Sequence, residues 1–315
     1  YYEERLLPNL LTRAGYHCGL VGKLHLAGAA NARENRVDDG YGYFQYSHAP
    51  KGPNDYGHDY AEWLKQQGAN PENLLLEYNK MDSYRKGATE KSFGGVFEPT
   101  EDADNVPPHL HQTFWCTEKS IEFIDKNRRE NQPWMLSVNP FDPHAAFDPP
   151  YEYFRRYDPE SMPGAHFEEG DLEHQQRLTD ANVDFQSKPQ HPDEWEHKLI
   201  QAAYYAMVEQ VDHEFGRLID HLDAVGEKDN TIIVFMSDHG EALCDHGLLL
   251  KGCRFFEGLT RVPLMISWPE RYRQDKVSDS LVELVDLVPT FLDAAGIEIP
   301  YWVQGRSLSG VLDGS

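Results

Sequence analysis

The sequence is short of basic residues, of long apolar runs and of closely spaced cysteines, and each shortage excludes a class of protein. Lysine and arginine together number 29 against 53 aspartates and glutamates, so the formal net charge is −24 and a basic nucleic-acid-binding face is not expected. No apolar run approaches the ~20 residues that a membrane-spanning helix needs. The cysteines form no Cys-x-x-Cys pair, which argues against a disulfide framework or a zinc site and favours free thiols; they are Cys18, Cys116, Cys244 and Cys253.

The sequence does contain enough apolar material for a sizeable core. Of its 315 residues, 40% are hydrophobic and 12% are aromatic, which argues against global disorder and allows one large domain or two modest ones. Because the net charge is strongly negative, an anionic substrate would need local positive charge, either from a metal ion or from a few placed lysines and histidines.

Predicted helices alternate with short apolar strands along the chain. The helices are expected at residues 6–14, 60–67, 113–127, 196–225 and 287–295, and the strands at 17–26, 134–138, 231–236 and 262–267. The helix at 196–225 has the strongest pattern, with apolar residues spaced i, i+3 and i+4. The alternation predicts an α/β fold with a mainly parallel central sheet flanked by helices.

Asp238 and His239 follow the predicted strand at 231–236 after a single residue, Ser237. Ligands of open α/β sheets bind at the carboxyl ends of the strands, and a carboxylate beside an imidazole suits a metal ion. The alternative interpretation is a capping Asp and a hydrogen-bonded His at a strand end. The preceding strand and Gly240, which allows a sharp turn, favour the metal role.

Two lysines and two histidines elsewhere could bind an anion and move a proton. Lys23 and His25 are two positions apart on a predicted strand and would share a face, although a solvated edge strand would give the same pattern. His144 follows a strand in a proline-containing loop and suits a general acid, or is a surface histidine. Lys251 would neutralise an oxygen of a metal-bound anion, or is an ordinary exposed lysine.

Taken in order, these segments resemble the sulfatase family of the alkaline phosphatase superfamily. Residues 22–26, Gly-Lys-Leu-His-Leu, resemble the family's GKxHL segment, and residues 142–144, Asp-Pro-His, resemble its PH loop. Residues 230–240 resemble the strand that ends in DHG or DNG in the family. Further segments complete the series, at Lys251, 261–264, 285–290 and 305–308. The resemblance implies an alkaline phosphatase-like sandwich, and it covers most of the chain.

The resemblance also implies which groups would hold the sulfate. Asp238 and His239 would be two ligands of one divalent cation, and Lys23 and Lys251 would contact sulfate oxygens. Carboxylate and sulfate oxygens suit calcium or magnesium, whereas an imidazole ligand moves the preference towards manganese. The family favours calcium, so calcium is expected first, with manganese or magnesium as alternatives.

The reacting groups implied by the resemblance are only partly present. His25 would lie beside the nucleophile and help to release sulfate from it, and His144 would contact sulfate and assist the leaving alcohol oxygen. Family sulfatases make their formylglycine nucleophile from a Cys or Ser in a C/S-x-P/A-x-R motif. No Cys or Ser of this sequence fits that motif. In the family, this motif and a pair of metal-binding aspartates lie upstream of the GKxHL segment.

The sequence begins without Met or a signal peptide and ends soon after residues 305–308, where the family continues into a small C-terminal subdomain. We therefore expect residues 1–315 to be one partial catalytic domain, truncated at both ends, with irregular insertions at 28–110 and 151–195. This polypeptide alone is expected to be inactive. Asp38 and Asp39 are interpreted as loop residues, and Asp245 and His246 as loop residues that make local hydrogen bonds.

The expected function of the parent protein is hydrolysis of a sugar or aryl sulfate ester, with a divalent metal and an upstream formylglycine. One alternative is a phosphodiesterase or phosphonate monoester hydrolase of the same superfamily, whose Asp-His-Gly strand end is similar; the pair Lys23 and His25 favours the sulfatase. Another is a non-catalytic homologue that binds anionic ligands. The expected partner is a small-molecule or saccharide sulfate ester, with no nucleic acid and no membrane span.

Overall fold

The computed structural model describes residues 5–26, 29–30, 33–34, 36–48, 59–71, 99, 101, 106–130, 132–182 and 189–314. The strands are β1 (His17–Gly22), β2 (Ala29–Ala30), β3 (Arg33–Glu34), β4 (Tyr43–Tyr46), β5 (Trp134–Asn139), β6 (Ile233–Met236) and β7 (Leu264–Ser267). The α-helices are α1 (Leu7–Arg13), α2 (Asp59–Gln66), α3 (Gln112–Glu130), α4 (Tyr151–Phe154), α5 (Asp171–Asp180), α6 (His197–Ala224), α7 (Glu257–Thr260), α8 (Leu287–Ala294) and α9 (Ser309–Asp313). Short 3₁₀ helices lie at Pro108–Leu110, Pro159–Ser161, Pro192–Trp195, Asp245–Gly247 and Leu284–Asp286.

Three parallel strands in the order β4–β1–β5 form the main sheet. β1 lies in the middle, and its Leu20 and Val21 are fully buried, as expected for a parallel strand that is covered on both faces. Gly22 at the end of β1 pairs with Tyr46 of β4 and with Asn139 of β5. The carboxyl ends of the three strands therefore meet at one edge of the sheet.

Helices cover both faces of this sheet. On one face, Cys18 of β1 forms a buried cluster with Leu11 of α1 and Leu292 of α8. On the other face, a Cβ at Gly19 would lie 2.7 Å from the ring of Phe123 in α3, because successive residues of a strand point in opposite directions. Helix α6 packs on the outer side of α3. The helices thus fix the orientation of β1 and β5, which lead into the loops described below.

Strands β6 and β7 form a separate antiparallel pair, in which Met236 is opposite Leu264. Within the described ranges, neither strand hydrogen-bonds to the three-stranded sheet. The expected α/β fold, with a parallel sheet and flanking helices, is confirmed. No helix among the described residues is both long enough and apolar enough to cross a membrane.

The predicted helices and strands are confirmed to within a few residues at their ends, with one correction. The strand predicted at 17–26 is wrong in its second half, since β1 ends at Gly22. Gly22 has a φ of 101°, and a Cβ there would overlap the carbonyl oxygen of Asn139, so the chain leaves the sheet at this point. Lys23 and His25 consequently do not share the face of a strand.

The structure describes most of one predicted irregular insertion and only a smaller part of the other. Residues 151–195 contain α4, α5 and two 3₁₀ helices. Much of 28–110 lies outside the described residues. The longest parts of it that the structure describes are 36–48, 59–71 and 106–110. That residues 1–315 form one catalytic domain with two insertions stays a prediction.

Candidate active site

The loops that follow β1 and β5 are joined to each other at the edge of the sheet. The backbone N–H of Lys23 donates to the carbonyl of Asn139 at 2.7 Å, and the side-chain amide of Asn139 donates to the carbonyl of Lys23 at 2.9 Å. This reciprocal pair extends the β1–β5 ladder by one step beyond Gly22. It places the Lys23 side chain next to the loop that carries Phe141 and His144.

Lys251 and His144 are in direct contact. The ammonium of Lys251 donates to Nε2 of His144 at 2.7 Å, while Nδ1 of His144 is 2.8 Å from the carbonyl oxygen of Ala145. A carbonyl oxygen can only accept, so Nδ1 carries the proton and Nε2 presents its lone pair. Burial, and then the Lys251 charge, lower the pKa of His144 to about 3. His144 is therefore neutral at physiological pH when the site holds no anion.

A second ammonium lies in the same region. Lys23 Nζ is 5.7 Å from the centre of the Phe141 ring, and that ring is 4.8 Å from the ring of His144. Burial lowers the pKa of Lys23, which the charge of Asp238 partly offsets. Burial and the neighbouring Lys23 lower the pKa of Lys251. Two partly desolvated ammonium groups that repel each other form a favourable environment for an anion.

Asp238 and His239 lie at the end of β6, beside this pair of lysines. Nδ1 of His239 is 2.8 Å from the carbonyl of Gly240, which leaves Nε2 free to act as a ligand. That nitrogen is 3.7 Å from the carboxylate of Asp238. A Cβ at Gly240 would overlap the carbonyl oxygen of Gly258, so the turn after His239 needs glycine. Burial lowers the pKa of His239, which favours its neutral, ligating form.

These two residues suit a divalent cation as part of a donor set. They present an unprotonated imidazole nitrogen and a carboxylate, the latter on a side chain 71% exposed and the former on one 31% exposed. Among the residues that the structure describes, no group of three or more His, Cys, Asp or Glu side chains could hold a metal. The described residues therefore supply two ligands and would need others to complete a coordination sphere.

The structure brings five of the six predicted site residues close together and places the sixth beside them. The ring of His144 is 6.3 Å from that of His239, which connects the two lysines with the strand end of β6. His25 is exposed, and its ring is 5.4 Å from that of His48, which in turn is 5.9 Å from Phe141. His25 thus lies at the rim of the same region.

The residues interpreted as loop residues make polar contacts, which are local in sequence for Asp39 but join distant parts of the chain for Asp245 and His246. Asp39 is buried and forms a two-point ion pair with Arg36. Asp245 accepts the backbone N–H of His166 at 2.7 Å, and His246 is 3.3 Å from Asp171. All four cysteines are free thiols, as expected.

Three residues near the site were not singled out from the sequence. Burial raises the pKa of Glu241 to about 7, and Lys251 partly offsets this effect; the carboxylate accepts the backbone N–H of Ala242. Asp142 and His111 are buried together below the His144 loop. Asp142 lies within the motif at residues 142–144 and Glu241 directly follows the one at 230–240, so their positions give a signal, whereas nothing in the sequence around His111 does.

A family profile and several known proteins are similar to this chain. The sequence profile of the Sulfatase family matches residues 2–297. An arylsulfatase of Clostridium perfringens is 29% identical over 321 residues, which cover 98% of this chain and 62% of that protein. An N-acetylglucosamine-6-O-sulfatase of Bacteroides thetaiotaomicron is 42% identical over 120 residues, covering 38% of this chain and 21% of that protein.

The fold is also similar to that of a solved structure, the phosphonate monoester hydrolase of Agrobacterium radiobacter. The TM-score is 0.72 at 23% identity, over 98% of this chain and 62% of that one. The chain thus spans about three-fifths of the arylsulfatase and of this hydrolase. Since the family profile covers most of the sequence and the motif residues lie at one edge of the fold, the chain belongs to the sulfatase family.

Proposed function

We propose that the protein is a sulfuric ester hydrolase, which cleaves the S–O bond of a sugar or aryl sulfate. The observation that carries this proposal is the contact between Lys251 and His144, with Lys23 and the pair Asp238 and His239 beside it. Cationic, proton-transferring and metal-binding groups converge there. They do so in a chain whose net charge is −24, so the local charge opposes the overall field.

The two lysines bind the sulfate group. Each ammonium is partly desolvated, as the lowered pKa values of Lys23 and Lys251 indicate. Charges held in a site of low dielectric stabilise an anion more than they would in water. Their mutual repulsion is relieved when a negatively charged sulfate ester enters, so binding is favoured by the arrangement of the empty site.

His144 and His25 move protons. Nε2 of His144 is hydrogen-bonded to a proton donor, the Lys251 ammonium. A sulfate ester that draws the Lys251 ammonium to its own oxygens frees Nε2, and its negative charge raises the pKa of His144. Nε2 can then take up a proton from solvent and pass it to the alkoxide oxygen as the alcohol leaves, while Lys251 keeps its charge. His25 lies at the rim and assists release of sulfate from the nucleophile.

Asp238 and His239 bind one divalent cation. The family is generally metal-dependent and uses a formylglycine nucleophile. The oxygen of Asp238 and the oxygens of a sulfate favour calcium, with manganese or magnesium as alternatives. When bound, the cation supplies positive charge to the transferring group. A formylglycine is expected to come from a segment upstream of the GKxHL residues.

The substrate class follows from the relatives. Their names include an arylsulfatase and an N-acetylglucosamine-6-O-sulfatase, so we propose an aryl or saccharide sulfate ester for this protein. No nucleic acid partner is expected of so acidic a chain. We also propose that residues 1–315 form one catalytic domain, with insertions at 28–110 and 151–195.

A second candidate is phosphonate or phosphodiester hydrolysis, favoured by the similar fold of the phosphonate monoester hydrolase. A matched pair of substrates separates the two functions. The mature protein, produced with formylglycine-generating maturation, is given nitrophenyl sulfate and nitrophenyl phenylphosphonate, which share a leaving group. We expect a higher kcat/KM for the sulfate. A higher value for the phosphonate would replace the proposed function, and binding of both without turnover would indicate a non-catalytic homologue.

A further inference from the structure

A buried histidine and a buried carboxyl group face each other beneath the loop that carries His144. Nε2 of His111 is 3.7 Å from a carboxyl oxygen of Asp142, and the two side chains are 2% and 0% exposed. Among the described residues, no group makes a hydrogen bond of normal geometry to either carboxyl oxygen of Asp142, although the Thr113 hydroxyl is close enough to lower its pKa. A buried carboxyl group without a hydrogen-bond partner lowers the stability of the folded state. The imidazole of His111 faces this group and is positioned to be its partner.

A hydrogen bond at Nδ1 fixes the tautomer of the His111 ring. The backbone N–H of Thr113 donates to Nδ1 of His111 at 3.3 Å, so Nδ1 presents a lone pair and the proton of the neutral ring lies on Nε2. The N–H of Nε2 is then the group that faces Asp142. A movement of less than 1 Å would bring the two atoms to hydrogen-bond distance, about 2.9 Å.

His111 occupies the position before the first residue of α3, where it performs the task of a capping residue. The N–H of Trp115 donates to its carbonyl at 3.0 Å, and its ring accepts the N–H of Thr113. Serine, threonine, aspartate and asparagine are the usual choices for such a cap. A histidine also caps the helix, through Nδ1. Its longer ring carries an N–H at Nε2 on the opposite side, which reaches farther than the side-chain groups of those residues.

The same helix end holds the residue before Asp142. The side-chain carbonyl of Gln112 accepts the backbone N–H of Phe141 at 3.0 Å. The start of α3 therefore contacts Phe141 and Asp142 in succession. Two residues further on, His144 meets Lys251.

We propose that His111 and Asp142 are a positioning pair, in which the Nε2–H of His111 donates to the carboxyl group of Asp142 and so fixes the loop that presents His144 to Lys251. The role assigned to His144 rests on the proposed function, but the pair itself does not. Neither residue contacts the substrate. The pair acts by restricting the position of the His144 ring.

The charges around the pair are consistent with a neutral histidine. Burial lowers the pKa of His111 to about 4. Burial raises the pKa of Asp142 to about 7, and the Thr113 hydroxyl partly offsets this. The other titratable groups that interact with Asp142 are Tyr60 and Cys116, both buried and neutral near physiological pH because their pKa values are raised. The imidazole can donate whether or not Asp142 is ionised.

Two substitutions of His111 separate its two nitrogens. His111→Asn keeps a side-chain acceptor near the position of Nδ1, so the helix cap is retained while the donor to Asp142 is lost. His111→Gln places an amide N–H near the position of Nε2 and retains the donor. We expect His111→Asn to lower kcat by about 10- to 100-fold with little change in KM, since misplacement of a catalytic group by about 1 Å has an effect of this size. His111→Gln should restore most of the lost kcat.

The matched control is another His–Asp pair on the same helix. Asp125 in α3 is 2.9 Å from Nε2 of His221 in α6, remote from the His144 loop in sequence. Asp125→Asn and His221→Gln should leave kcat unchanged, even where they lower the melting temperature. If these variants reduce kcat as much as His111→Asn does, a general loss of stability explains the effect and the positioning role is wrong.

Nitrogen-15 NMR of the histidine rings tests the pair without any turnover. In the protein as it stands, His111 should carry its proton on Nε2 and His144 on Nδ1, and His111→Asn should shift or broaden the His144 ring signals while His221→Gln does not. A proton on Nδ1 of His111, or unchanged His144 signals in His111→Asn, would overturn the proposal. Lack of sulfatase activity in the unsubstituted mature protein that contains formylglycine would instead count against the proposed function, and the NMR result would still decide on the pair.

Discussion

The ammonium of Lys251 donates to Nε2 of His144 at 2.7 Å, although the two residues come from loops that are far apart in sequence. The contact requires a neutral histidine, and burial together with the lysine charge keeps the pKa of His144 at about 3. An incoming anion would be met by two cations and by a histidine that has a lone pair. The consequences of this arrangement can be measured.

Removal of either ammonium should weaken catalysis strongly. We expect Lys251→Met and Lys23→Met to lower kcat/KM for an aryl sulfate by about 10²–10³-fold, because each removes charge stabilisation in a partly desolvated site. Lys228→Met is the control, since Lys228 lies on the surface and pairs with Asp223. Steady-state kinetics would contradict the proposed sulfate contacts if the site variants lost no more than Lys228→Met.

The role of His144 should depend on the leaving group. His144→Gln should reduce kcat by about 10²–10⁴-fold for an alkyl sulfate, whose alkoxide needs a proton as it leaves. The loss should be much smaller for nitrophenyl sulfate, whose leaving group is stable without a proton. Equal losses for the two substrates would assign His144 to binding rather than to proton transfer.

The pair Asp238 and His239 should be needed for metal binding. We expect calcium to raise the melting temperature of the protein, since a ligand that binds only the folded state stabilises it, and Asp238→Asn should reduce both this effect and the metal content. The control is Asp245→Asn, because Asp245 bonds to the backbone of His166 and is not expected to bind metal. Parallel titrations with manganese and magnesium would rank the ions, and a calcium response that survives in Asp238→Asn would contradict the assignment.

On acidification, His111 should destabilise the folded protein, whereas Asp142, whose pKa burial raises to about 7, acts in the opposite direction. The pKa of His111 is about 4 in the folded protein, below its usual value of 6.5, so the unfolded chain takes up this proton first. The stability that the neutral ring provides is complete above pH 6.5 and is lost as the pH falls towards 4. At about pH 5 the loss from this group is about 2 kcal/mol.

The measurement for His111 is urea unfolding of the unsubstituted protein and of His111→Asn. The variant should be less stable at about pH 7, and the difference between the two free energies of unfolding should shrink by about 2 kcal/mol at about pH 5. A difference that stays constant over this interval would mean that His111 is not held neutral in the folded state.

The thiols should differ sharply in reactivity. Cys253 is exposed, whereas Cys18, Cys116 and Cys244 are buried, and burial raises the pKa of each of the three. Because the thiolate is the reactive form, a maleimide should label Cys253 rapidly and the others only after unfolding. Mass spectrometry would count the labels, and rapid labelling of Cys116 would contradict its position beneath the site.

Much of the candidate site could be predicted from the sequence because its residues follow strands directly. Asp238 and His239 follow β6 after one intervening residue, and Lys23 directly follows β1, so the α/β rule that places ligands at strand ends predicts their location. The strand limit near Lys23 was missed. The apolar pattern continues through Leu24 and Leu26, and only the close approach of Gly22 to Asn139 ends the strand.

The pair His111 and Asp142 could not have been predicted in the same way. Asp142 lies beside the His144 motif, but His111 is brought to it only by the packing of α3 on β5. No periodicity or short motif encodes a contact between residues so far apart. The antiparallel pairing of β6 with β7 likewise depends on which strand edges are available for hydrogen bonding. An apolar run alone does not specify which strand it will pair with.

The in-register pairing of Gly22 with Asn139 makes the distance between Lys23 and His144 a property of the sheet. A shift of one residue along β1 would move the lysine by about 3.3 Å and would turn every side chain of the strand to the opposite face. Deletion of a single residue within His17–Gly22 should therefore damage anion binding more than a long insertion within the exposed segment 273–282. Strand length is therefore the more tightly constrained quantity in this part of the fold.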